Sequence, residues 1–181
     1  NKKTTERSTT FDWLISPLTK EKFFDAYFEK KHLRIHRNDA TYNAHLLSIE
    51  LVDQFIYSQV LKYPALRMTN SKVEFPSDKY VVGDRVVPSL VLKNFTEGST
   101  LILAGLHEFM PQIGQFCNLL TSETGHKFQT NIYITPKESR GFNVHYDTHD
   151  VFVIQVSGRK TWRIYSENPL ELPNKMQEFD K

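Results

Sequence analysis

His145 and Asp147 are two residues apart in the segment Gly141-Phe142-Asn143-Val144-His145-Tyr146-Asp147. The segment reads as a strand, and alternate side chains of a strand point to one face. That geometry sets an imidazole nitrogen beside a carboxylate oxygen. The two groups are two corners of a 2-His-1-carboxylate facial triad, the donor set that holds non-haem Fe(II) and leaves positions open for co-substrate and dioxygen. An isolated His-x-Asp is weak evidence, since a surface histidine and a turn aspartate give the same pattern. His149, two residues beyond Asp147, reads as a neighbour of the site or a surface residue rather than a ligand. Beyond the pair come an apolar run, Val151 to Val156, and a basic turn, Gly158-Arg159-Lys160. Read from the residues alone, Lys160 is a solvated hairpin lysine, Tyr133 a core aromatic, and Asn131 a strand residue that satisfies neighbouring backbone.

Positioning such a pair needs a framework. With 181 residues the chain fits one domain with a sizeable core. Thirteen Phe and eight Tyr make that core rich in aromatics. A net charge of +2 is too small to argue for nucleic acid or a membrane surface. No apolar run is long enough to span a bilayer, and no apolar stretch follows the basic N-terminus as a secretory signal requires. Cys117 is the only cysteine, so an intrachain disulfide is excluded and a reducing compartment fits. It falls on the apolar face of a helix with Phe109, Ile113, Phe116 and Leu120, which suits a small buried hydrophobe.

Residues 1–10 are polar and aperiodic, and read as a disordered leader. Thr19 precedes a helix with aromatics at 23, 24, 27 and 28 on one stripe. A second helix is expected from Ser48 to Val60, with Leu51, Val52, Phe55, Ile56 and Val60 on one side. Short strands are expected at 65–69, 72–75, 79–82, 89–93 and 100–105, followed by a helix over 107–121. From Lys127 the pattern is strand after strand: 130–135, 142–147, 151–156 and 161–166, the last two joined at Ser157-Gly158. The expected fold class is mainly β with N-terminal helices. Residues 11–62 form the helical layer and 63–181 the β core.

Several blocks, in order, carry a resemblance. They are Phe11-Asp-Trp-Leu-Ile-Ser-Pro-Leu18, Phe23 to Arg37, Gly98 to Gly105, Asn131 to Pro136, Gly141 to Asp147, and Val151 to Tyr165. Together they resemble the JmjC-domain, cupin-like 2-oxoglutarate oxygenases, and above all the ribosomal oxygenase branch, over roughly residues 11–166. The resemblance implies a double-stranded β-helix of the cupin or jelly-roll type. It implies Fe(II), 2-oxoglutarate and O2, and hydroxylation of a protein side chain, of the ribosomal-protein His or Arg kind. His145 and Asp147 match iron ligands. Lys160 matches the cation for the distal carboxylate of 2-oxoglutarate. Asn131 and Tyr133 match positions lining the metal and co-substrate pocket, and Trp162 matches a structural aromatic of the core. The implied partner is a protein or peptide substrate, with a homodimer formed through regions this chain does not include, and no membrane. The implied location is the cytoplasm, or the nucleus or nucleolus in a eukaryote.

The chain departs from the pattern in one respect. The family's second histidine ligand lies on a later strand, and no His follows His149 before Lys181. Three readings stand: a longer enzyme whose C-terminal strands lie beyond this sequence, a site with two protein ligands, or a scaffold without catalysis. Methyl-lysine demethylation uses the same chemistry as hydroxylation and is the alternative activity. A non-catalytic cupin-fold module binding protein or RNA is the alternative class. For the latter, Arg159, Lys160 and Arg163 around Trp162 supply basic and aromatic groups, which alternation divides between two faces.

Overall fold

The structure is a computed structural model that describes residues 10–58, 60–165 and 177–178. The expected leader at 1–10 lies outside these residues apart from Thr10. The described residues fall into two compact units, one within 1–39 and 105–130, the other within 40–104 and 131–181.

The first unit is helical. It contains α1 (Phe11–Ile15), α2 (Lys20–Ala26) and α5 (Pro111–Thr124). Thr10 and Thr19 cap α1 and α2, their side-chain oxygens accepting from Trp13 N and Lys22 N. Phe11 and Phe23 meet edge to face at 5.4 Å, and both are buried. Phe11 N donates to Glu123 on α5 at 2.6 Å, and Lys20 Nζ donates to the Glu123 carbonyl. Arg37 donates to the carbonyls of Leu14 at 2.7 Å and Ser16 at 2.9 Å, satisfying acceptors that a helix end leaves open. Pro111 occupies the first turn of α5, where its missing N–H costs no helical bond. Ile113, Phe116, Cys117 and Leu120 are buried as their spacing predicts, whereas Phe109, one turn earlier, is exposed. Burial raises the Cys117 pKa, consistent with an inert packing role.

The second unit contains α3 (Ile49–Ser58), α4 (Pro88–Thr96) and three small antiparallel sheets. Its main sheet has the order β1–β4–β5, from β1 (Leu66–Thr69), β4 (Thr100–Leu103) and β5 (Ile132–Ile134). β4 is central and every one of its residues is buried. Leu66 pairs with Leu103 on one side, and Ile102 pairs with Tyr133 on the other. β2 (Val81–Val82) and β3 (Arg85–Val86) form a hairpin. β6 (His145–Tyr146) pairs with β7 (Gln177–Glu178).

Several expectations change here. The strand expected at 89–93 is helix α4. Pro88 sits in its first turn, and buried Val91 and Asn94 follow helical spacing. Asn94 looks like an interruption in sequence, yet its amide donates to the carbonyls of Lys79 at 3.1 Å and Leu90 at 2.7 Å. The segment at 72–75 is not strand, and of α3's predicted face Leu51 is exposed, as is Val60 beyond the helix. The fold among the described residues is therefore helices with small antiparallel sheets, less β-rich than the sequence suggested.

Candidate active site

The site residues gather along β5 and the segments from 139 to 147 and 157 to 162. Four hydrogen bonds fix the approach to His145. Thr69 Oγ1 at the end of β1 donates to Gly141 O at 3.1 Å, and Ser71 N donates to Arg140 O at 3.2 Å. The Arg140 guanidinium donates to Ser71 Oγ at 3.4 Å and to Asn143 Oδ1 at 3.1 Å. Gly141 lies close against Thr100: a Cβ placed there would meet Thr100 Oγ1 at 3.0 Å and Thr100 Cβ at 3.2 Å. The chain can run this close to β4 because residue 141 has no side chain.

His145 then takes a defined orientation. Its Nδ1 lies 2.7 Å from the carbonyl oxygen of Asn143. A carbonyl only accepts, so Nδ1–H is the donor, and in the neutral ring Nε2 carries the free lone pair. Metal-binding histidines are held in this way, one nitrogen on a carbonyl and the other toward the metal. Asp147 follows, half-buried, with no hydrogen bond or ion pair among the described residues. His149 is exposed. Imidazole nitrogen and carboxylate oxygen are donor types that Fe(II) accepts, so the pair fits part of an iron site. No group of three His, Cys, Asp or Glu side chains able to hold a metal forms among the described residues.

A row of rings links this histidine to Lys160. The Phe142 ring is 5.4 Å from the His145 ring and 5.8 Å from the Tyr133 ring. Lys160 Nζ lies 6.0 Å from the Tyr133 centroid and 5.5 Å from that of Trp162. Although Lys160 as a residue is exposed, its ammonium sits among these rings, and partial desolvation lowers its pKa. Asn131 is half-buried just before β5. The fold thus brings Lys160, Tyr133 and His145 onto one row.

Sequence reasoning missed Phe142, the ring in contact with both Tyr133 and His145, because in the expected strand 142–147 an offset of three puts it on the face opposite His145. It also missed Asn143, whose contribution is a backbone carbonyl that any residue supplies. Trp162, expected in the core, is 56% exposed. Residues 151–156 and 161–165 are not in strand pairs, although 151–156 alternate between exposed and half-buried as a strand would.

Residues 103–180 match the family model for the JmjC domain. Over that segment the chain is similar to JmjC-domain proteins. It is 32% identical over 167 residues to the bifunctional lysine-specific demethylase and histidyl-hydroxylase NO66 of Dictyostelium discoideum, covering 91% of this chain and 32% of that protein. It is 30% identical over 159 residues to ribosomal oxygenase 1 of Homo sapiens, covering 86% of this chain and 24% of that protein. The Bos taurus ribosomal oxygenase 1 is also 30% identical, over 86% of this chain and 23% of the relative. The chain therefore spans about a third or less of the length of the curated relatives it matches. These similarities are consistent with a JmjC oxygenase near the ribosomal oxygenase branch.

Proposed function

We propose that this chain is part of an Fe(II)- and 2-oxoglutarate-dependent oxygenase acting on a protein side chain. The observation that carries the reading is the row from His145 through Phe142 and Tyr133 to Lys160. A dicarboxylate needs a metal at its 2-oxo end and a fixed cation at its far end, and the row has a candidate for each. His145, oriented by the Asn143 carbonyl, and Asp147 would hold the iron. Lys160 would bind the distal carboxylate, with Tyr133 and Asn131 lining the space between. Bound iron would supply the oxidising chemistry, with 2-oxoglutarate and O2 consumed to give succinate and CO2, one oxygen atom of O2 going to succinate and the other to the substrate C–H as hydroxyl. The protein positions the co-substrate and limits water around it.

In this reading residues 11–181 belong to one catalytic domain of the cupin type. The segments 142–147, 151–156 and 161–166 are strands of a double-stranded β-helix completed by chain beyond this sequence, including the third iron ligand. The substrate is a protein, of the ribosomal kind, in the cytoplasm or in a eukaryotic nucleus. The NO66 relatives are named for both histidyl hydroxylation and lysine demethylation, so methyl-lysine is the second candidate substrate.

The test is succinate formation by the intact protein with 2-oxoglutarate and Fe(II), with peptide products weighed by mass spectrometry. A mass gain of one oxygen on an unmodified peptide identifies hydroxylation, and loss of a methylene from a methyl-lysine peptide identifies demethylation. His145→Ala and Asp147→Ala should each abolish succinate formation. Unchanged turnover in either variant rejects the iron assignment.

A further inference from the structure

Trp162 is the residue whose sequence reading and position disagree most, and among the described residues its ring contact is with a charge. Among the described residues it is more than half exposed. Its ring stands 5.5 Å from Lys160 Nζ, and the Tyr133 ring stands 6.0 Å from the same atom. Both distances fall within the range over which an ammonium is attracted to a ring face. Lys160 and Trp162 are two residues apart, a spacing that turns both side chains to one side of an extended segment. The preceding turn at Gly158 has φ +70°, which a glycine adopts without strain, so the segment reverses there and carries Lys160 back toward β5. Among the described residues, no carboxylate is paired with Lys160.

We propose that Tyr133 and Trp162 form an aromatic cradle that holds the Lys160 ammonium in place to receive the distal carboxylate of the co-substrate. Trp162 is a positioning residue in this scheme: it acts through Lys160 and does not touch the co-substrate. The inference rests on the reading of Lys160 as the co-substrate cation. A lysine side chain has four rotatable bonds and is mobile when solvated, so restraining it beforehand lowers the ordering cost when the dianion binds. Ring faces suit this task because they attract the cation without neutralising it. A carboxylate partner would have to be displaced, whereas a ring leaves the N–H donors free to meet the ligand. The lowered pKa of Lys160 agrees with an ammonium partly screened from water by rings.

The experiment is NMR of the intact protein with 13C-labelled lysine, the Lys160 ε-methylene being assigned by its loss in Lys160→Arg. Ring currents shift a methylene held over an aromatic face upfield. The expected result is an upfield Lys160 signal that returns to the ordinary position in Trp162→Leu and is largely kept in Trp162→Phe. Titration with 2-oxoglutarate in the presence of Zn(II), a diamagnetic substitute for iron, should show affinity about twofold to fivefold weaker in Trp162→Leu and close to normal in Trp162→Phe. An ordinary Lys160 signal in the unmodified protein overturns the cradle. A signal lost in Trp162→Leu with affinity unchanged overturns its role in binding. An upfield signal in a protein that binds no 2-oxoglutarate overturns the co-substrate reading and this inference with it. The variants should fold, because an exposed ring contributes little to the core, and unchanged circular dichroism would verify that.

Discussion

The strand β4 and the segment Val151–Val156 are both short and largely apolar, yet they have different fates. β4 has a strand on each side and is wholly buried. The second segment has no strand partner among the described residues; Val151 and Val153 are exposed and their neighbours half-buried. Composition makes a segment able to enter a sheet, but burial follows from what covers it. The alternation at 151–156 is already that of a strand with one covered face. The candidate site belongs with this second kind of segment, since Tyr133 is on an outer strand of its sheet and Phe142, Lys160 and Trp162 are exposed.

The largest effect should come from truncating a side chain of β4. Leu103→Ala in β4 should cost about 2–5 kcal/mol, because it opens a cavity in a packed site. Denaturant unfolding measures it, and a loss below about 1 kcal/mol would mean that the sheet is not the core.

Gly141→Ala comes next. The added Cβ must push Thr100 or the 139–143 segment aside, an overpacking cost of about 1–3 kcal/mol. The same displacement should weaken Mn(II) binding, read by electron paramagnetic resonance, because His145 is oriented from Asn143, two residues after the contact. Full retention of metal affinity would detach Gly141 from the site.

A pH prediction follows from Lys160. Its lowered pKa means that it loses its proton at a lower pH than an ordinary lysine does. Affinity for 2-oxoglutarate should therefore be constant below that lowered pKa and fall as pH rises through it. In Lys160→Arg, where the cation persists, the fall should shift to higher pH or vanish. Identical alkaline limits in both proteins would assign the titration elsewhere.

The smallest expected effect is the other half of the comparison. Val153→Ser, at an exposed position, should change the stability of this chain by no more than about 0.5 kcal/mol. A loss as large as that of Leu103→Ala would place the 151–156 segment in a core.

Helix α2 was legible because its signals are local: Thr19 ahead of it and the aromatic spacing act within a turn or two of chain, whereas Thr10, read as part of a disordered leader, caps α1. The 89–93 segment was not legible, because Leu-Val-Leu suits a strand or a helix equally, and Pro88 and the Asn94 contacts decided between them. At the site, His145 and Asp147 were marked by type and spacing, while Tyr133, Asn131 and Lys160 were marked only by the family resemblance. Phe142 and the Asn143 carbonyl were not, since neither residue type announces a role.

By itself the sequence determined which groups are available: a histidine and a carboxylate at strand spacing, a lysine beyond a glycine turn, and the ordered blocks that carry the family resemblance. Those are properties of covalent order, and folding does not alter them. Only the tertiary structure decided which nitrogen of His145 is committed to a carbonyl, that Phe142 stands between His145 and Tyr133, and that Trp162 faces a cation. The Phe142–Tyr133 contact joins two separate segments, and the others follow from the path of the backbone outside regular helix or strand, which local propensity does not encode.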